Sequence, residues 1–154
     1  MLRFITLFLF CISCGSCSTK VALPDIILYQ KQVKPVIKKW QRLVQEINSS
    51  LTSPATADTE QAKLFHRKIK YYYMPKLLSV QSALEQLETV PRLQRMTELF
   101  IKANKVQTAC CRKLMRYYKK DSNKQNSYFK KAAADNKRAQ EFFSAYKKEI
   151  AGLP

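Results

Sequence analysis

Glycine is nearly missing from this chain. It stands at Gly15 and Gly152 alone in 154 residues, so the long stretch between them has little means of making the positive-φ turns that join short strands. An all-β sandwich or barrel is therefore excluded as a first reading. Acids are scarce too, 11 against 28 lysines and arginines, for a formal charge of +17. Histidine occurs once, at His66. Of five cysteines, three crowd into residues 1–17, and the other two, Cys110 and Cys111, are neighbours. Adjacent cysteines cannot pair without distorting the peptide between them, so no disulfide framework is expected.

The sequence is equally poor in catalytic patterns. It has no glycine-rich phosphate loop, no Gly-x-Ser-x-Gly and no His-Glu-x-x-His, and beyond residue 17 no Cys-x-x-Cys. Glu85 and Glu88 are spaced i, i+3 as in carboxylate-bridged metal sites, but no Glu-x-x-His accompanies them. His66 lies beside Arg67 and Lys68, where like charge disfavours its cationic form, and reads as a surface histidine. Cys110 falls on an apolar stripe, where a thiol is a small core filler. The reading is a non-enzymatic chain with no cofactor and no metal.

What the chain does have begins at its leader. Arg3 is followed by the apolar run Phe4-Ile5-Thr6-Leu7-Phe8-Leu9-Phe10, then by Cys11-Ile12-Ser13-Cys14-Gly15-Ser16-Cys17. A positive start, a short apolar core and a zone of small residues make a secretory signal, and the core is too short to span a bilayer comfortably. A small residue directly before a cysteine at this point resembles the lipobox of bacterial lipoproteins. Two cysteines fit, Cys14 after Ile12-Ser13 and Cys17 after Gly15-Ser16. Both depart from the pattern, because Cys11 or Cys14 occupies the place usually held by leucine. Cys17 is the better placed, since cutting before Cys14 would leave an unusually short signal. The resemblance covers residues 1–17 only. It implies lipidation of the cysteine and anchorage to a membrane on the non-cytoplasmic side, with no implication for activity. The alternatives are a plain cleaved signal, giving a secreted chain, and an uncleaved anchor.

Export changes what the charge means. Only Arg3 of the basic residues lies in the leader, so 27 basic residues face 11 acids in the remainder, a net +16. Such an excess favours polyanions and anionic surfaces. In a cytosolic chain the first candidate would be nucleic acid. Outside it the candidates are anionic lipid, polysaccharide or an acidic protein.

After a tether at residues 18–24, residues 25–154 read as one helical domain. Alanine, leucine, lysine, glutamine and glutamate dominate it, all good helix formers. A first apolar stripe runs Ile26, Tyr29, Val33, Ile37, Trp40, Val44, Ile47, Leu51. Asp25 is its expected cap, and Pro35 implies a kink or a late start near Lys34. Asp58 and Gln61 form a capping-box pattern before a second stripe, Ala62, Phe65, Ile69, Tyr72, Leu77, Val80, Leu84, Leu87. Pro75 interrupts it and predicts a kink near Tyr71 to Met74, with some of Tyr71, Tyr72 and Tyr73 left at the surface. Thr89 is the next cap, with Pro91 in the first turn. A third stripe follows: Leu93, Met96, Phe100, Ala103, Gln107, Cys110, Leu114, Tyr117. Asp121 or Ser122 opens the last, Phe129, Ala132, Asn136, Ala139, Phe143, Tyr146, Ile150, which Gly152 ends. The expected fold is all-α, an antiparallel up-down-up-down four-helix bundle. The rival is a three-helix spectrin-like bundle with a loose first segment, and Trp40 inside a regular stripe argues for four. The near seven-residue period also admits a coiled-coil homo-oligomer.

The candidate binding residues lie on the third predicted helix and the turn after it. Between Ile101 and Lys131 there are ten lysines and arginines and one acid, Asp121. Lys105, Arg112 and Lys119 recur every seven residues opposite the apolar stripe, Lys102 and Arg116 flank them, and Lys120 continues the row with Lys124, Lys130 and Lys131. A face that served only solubility would mix both signs. A secondary pointer is tyrosine interleaved with base, in Lys68-Ile69-Lys70-Tyr71-Tyr72-Tyr73 and Arg116-Tyr117-Tyr118-Lys119. The function expected is binding of an anionic envelope component or acidic partner. The alternatives are a holdase-like chaperone outside the cytosol, a nucleic-acid-binding bundle if residues 1–17 are no signal, and a secreted four-helix ligand glycosylated at Asn48.

Overall fold

The computed structural model describes residues 23–52, 60–87, 89–119 and 125–153. Nearly all of these are helical, and none of the described residues is in a strand. Helix α1 spans Leu23–Thr52 and α2 spans Glu60–Lys68. A π-helical turn, Ile69–Tyr73, carries α2 directly into α3, Met74–Glu85. Helices α4 (Pro91–Tyr118) and α5 (Gln125–Ala151) complete four helical segments, with α2 and α3 counted as one rod.

One continuous core joins all four segments. At its centre Trp40 meets Phe100 edge-on at 5.6 Å between ring centroids and lies 4.4 Å from Phe143, which in turn lies 5.8 Å from Tyr146. Tyr29 of α1 reaches the Tyr146 hydroxyl at 3.4 Å and Thr97 Oγ1 of α4 at 3.0 Å. Near the opposite end of α1, Asn136 Nδ2 donates to Asn48 Oδ1 at 2.6 Å. Asn104 Nδ2 of α4 donates to the Leu77 carbonyl of α3 at 2.9 Å. The most extensive contact is α4 on α5, crossed by an ion pair between Lys113 and Asp135. The first segment is therefore packed, and the loose segment of the three-helix alternative does not occur.

Helix α1 runs unbroken through Pro35, against the expected kink or late start. Pro35 sits exposed, while Ile26, Tyr29 and Val33 before it and Trp40, Leu43, Val44 and Ile47 after it are buried. Burial of that stripe outweighs the roughly 3 kcal/mol a proline costs a helix interior. Asp25 lies inside the first turn and so is not the cap, though a carboxylate there still complements the helix dipole. Thr89 is not the next cap either. Val90 holds that position in extended backbone with no side-chain cap, and Pro91, whose missing N–H would be unsatisfied in any case, starts α4. The caps expected at Asp58, Asp121 and Ser122 lie outside the described residues.

The distortion expected near Pro75 takes the form of the π turn. Ala62 to Ile69 and Leu77 to Leu84 are seven residues apart, all buried, but Ile69 to Leu77 is eight. Seven residues nearly return to the same face of an α-helix, whereas eight overshoot by about 80°. The π turn takes up the extra residue, closing with the Met74 N–H on the Ile69 carbonyl, and places Pro75 in the first turn of α3. Tyr73, rather than the expected Tyr72, then points into the core. Tyr72 is half-buried and Tyr71 is 69% exposed.

Helix α4 is buried on two flanks. Its expected stripe is inside from Leu93 to Leu114, and Thr97, Asn104, Thr108, Cys111 and Tyr118 are buried as well. Both cysteines are free and buried. Burial pushes both thiols up, Cys111 to about 12. Since the thiolate is the reactive form, neither Cys110 nor Cys111 should react with a thiol-specific disulfide reagent at pH 8 in the native state. Both should react within the dead time once urea unfolds the chain. Prompt labelling of the folded protein would contradict this packing.

Candidate functional site

The expected binding row is built by the register of α4. Because Leu93, Phe100, Ala103 and Leu114 are drawn inward, residues half a turn away must face out. Lys102, Lys105, Arg112, Arg116 and Lys119 are all exposed. None of the five pairs with a described carboxylate within 4 Å. Lys113 in the same stretch is different. It turns sideways onto Asp135 of α5, and that pair neutralises it. Lys120, also expected in the row, lies outside the described residues, as do Lys124 and the candidate lipidation cysteines Cys14 and Cys17. Among the described residues no helix is long and apolar enough to cross a membrane.

The tertiary structure enlarges the row at the Lys119 end. There α2 comes alongside, and Lys63, His66 and Arg67 join Tyr118 and Lys119 around an open groove of about 280 Å³. Phe65 packs edge-on against Tyr118 at 5.2 Å and holds the two elements together. Burial, with Tyr117 beside it, pushes the Tyr118 hydroxyl up to about 12, so it remains a neutral hydrogen-bonding group. His66 is half-buried, in the wall of this open groove. Burial first, then the charges of Lys70 and Lys119, hold its pKa below the usual histidine value, so the ring is neutral at pH 7. On the α5 side the Arg116 guanidinium lies 5.9 Å from the Tyr128 ring centroid. Lys130 and Lys131 are exposed nearby in sequence.

Sequence reasoning missed Lys63 and Arg67, because their nearness to Lys119 depends on which helix packs beside α4. It also credited α4 with a one-sidedness that α1 shares. Lys31, Lys34, Lys38 and Arg42 are exposed at helical spacing along α1. The signal was available there: the three-four-four spacing of those bases, with Asp25 and Glu46 the only acids in the helix.

Other expectations resolve locally. The lysine–tyrosine run is split three ways, with Lys70 Nζ 4.8 Å from the Tyr71 ring, Lys68 5.2 Å from Tyr73 and Lys76 3.5 Å from Tyr72. Glu85 accepts from Gln81 Nε2 at 2.5 Å, and Glu88 lies outside the described residues. Asn48 is half-buried in the α1–α5 contact, its Oδ1 occupied by Asn136 and Gln140. Among the described residues no group of three or more metal-ligating side chains comes together. Comparison with protein-family models, curated proteins and solved structures finds no match to the chain.

Proposed function

We propose that this chain is an exported, lipid-anchored, non-enzymatic protein that holds an anionic envelope component, a lipid surface or polysaccharide, against the basic face of α4. The observation that carries the reading is the row Lys102, Lys105, Arg112, Arg116 and Lys119, none of which pairs with a described carboxylate. It is extended by Arg67 and by Lys63, which Glu60 of its own helix holds at 2.6 Å. Cations brought together with no carboxylate between them repel one another, and an anion relieves that repulsion. The leader supports export, with Cys17 ahead of Cys14 as the lipidated residue, and makes nucleic acid a partner only if residues 1–17 are retained in the cytosol. The arrangement we infer is an up-down-up-down bundle. It is supported by pairs of contacts that run in opposite directions along neighbouring helices: Lys39–Ser79 with Glu46–Lys68, Phe65–Tyr118 with Leu77–Asn104, Phe100–Tyr146 with Lys113–Asp135, and Tyr29–Tyr146 with Asn48–Asn136.

His66, the sole histidine, provides the test at the site itself. A sulfated polysaccharide seated across Lys119, Arg67 and Lys63 puts negative charge beside the ring, which favours its protonated form. The His66 pKa, followed by proton NMR, should therefore rise from its depressed value on addition of dextran sulfate and return as salt is added. A titration curve that does not move would place the polyanion elsewhere. Intact-mass measurement tests the anchor: a diacyl or triacyl mass on a chain starting at Cys17 or Cys14 supports it, and an unmodified start removes it.

A further inference from the structure

A second basic concavity is formed without any residue of the α4 row. Lys38, Lys39, Arg42 and Leu43 of α1 face Tyr72 of the π turn and Lys76 of α3 across a groove of about 300 Å³. Four of these six residues are cationic and none is acidic. Lys39 Nζ donates to Ser79 Oγ at 3.0 Å, which ties the two walls together. Lys76, half-buried, lies with its Nζ 3.5 Å from the centre of the Tyr72 ring. The carboxylate that touches this group, Glu46, is outside the lining and is shared between Arg42 Nε at 3.5 Å and Lys68 Nζ at 3.6 Å. One shared acid leaves the groove strongly positive.

The π turn is what builds this wall. Continued as an uninterrupted α-helix from Ala62 and Ile69, the chain would bring residue 76 to the core seven residues after Ile69 and carry Leu77 away from it. The inserted residue returns Leu77 to the core and leaves Lys76 and Tyr72 facing α1. Single π turns are costly irregularities that recur at functional positions.

We propose that this groove binds a phosphate-bearing ligand. The planar Arg42 guanidinium takes two phosphate oxygens, the Lys38 and Lys76 ammonium groups supply the remaining charge, and the uncharged part of the ligand lies against Leu43 and Tyr72. A dianion suits four cations better than a carboxylate does. The phosphate belongs either to a soluble ester or to a lipid headgroup.

Titration of the ¹⁵N-labelled protein at constant ionic strength distinguishes these sources. The probes are inorganic phosphate, glycerol 3-phosphate and a short-chain phosphatidic acid below its micelle concentration, all of which carry a free or monoester phosphate that can be a dianion. Saturable shifts are expected for amides of residues 38–43 and 72–76 and for Arg42 Nε–H. The Lys38→Gln/Arg42→Gln double variant changes only exposed side chains and should weaken the binding at least ten-fold. The Lys105→Glu/Arg112→Glu/Lys119→Glu variant should leave it within two-fold, so failure here and failure of the α4 reading are separable. Saturation by glycerol 3-phosphate assigns a soluble ester, and saturation by the lipid alone assigns a headgroup. Shifts no larger than those given by chloride would overturn the proposal. So would unchanged affinity in the double variant, or loss of phosphate binding in the α4 variant.

Discussion

Alanine in place of Trp40 should destabilise the fold by about 3–5 kcal/mol, the range for truncating a buried aromatic. Trp40 is 1% exposed and touches both Phe100 of α4 and Phe143 of α5, so no single helix can move in to close the space. Domains of this kind are stable by about 5–15 kcal/mol in total. The substitution therefore removes a large share, and the thermal midpoint should fall by roughly 10–20 °C. Trp40→Phe should cost far less. It keeps a ring against Phe100 and gives up an indole N–H that has no hydrogen-bond partner among the described residues. Urea melts of the three proteins measure both differences. If Trp40→Ala cost less than about 1 kcal/mol, α1 would not be docked as described.

Reversing Lys105, Arg112 and Lys119 together should all but abolish retention on anionic vesicles. Each basic residue near such a surface contributes about 1 kcal/mol, so losing three costs roughly 100-fold in affinity, and the glutamates add repulsion. These side chains are exposed and make no ion pair with a described carboxylate, so the fold should tolerate the change, with thermal midpoint and helicity near those of the parent. The same reversal at Arg92, Arg95 and Lys148, also exposed basic positions, should have a smaller effect, because Glu98 and Glu149 already dilute the charge around them. Binding of the parent should fall steeply with salt. Equal retention of both reversal variants at low salt would reduce the α4 row to a solvated surface.

The helices were legible because their stripes are regular. Leu93 to Leu114 on α4 and Ala132 to Tyr146 on α5 recur at three- and four-residue steps, and the structure buries them. The second stripe held a warning that a list of apolar positions hides, a five-residue step from Tyr72 to Leu77. Read as a proline effect, it pointed to the right place and named the wrong core tyrosine. The basic row on α4 was legible for the same reason as the stripe, being the far side of the same helix. Proline at position 35 misled because local propensity is worth about 3 kcal/mol, and a seven-residue buried stripe is worth more.

By itself the amino-acid order determined that this chain is helical, strongly basic and apolar over residues 4–10, since propensity, periodicity and charge are properties of residues and their near neighbours. The tertiary structure decided which charges stand together. Lys63, His66 and Arg67 meet Lys119, and Lys38 and Arg42 meet Lys76, only because packing of the apolar stripes sets the helices side by side. The π turn decided which of Tyr72 and Tyr73 enters the core, because absorbing one extra residue is favourable only when Ile69 and Leu77 have the same core to fill.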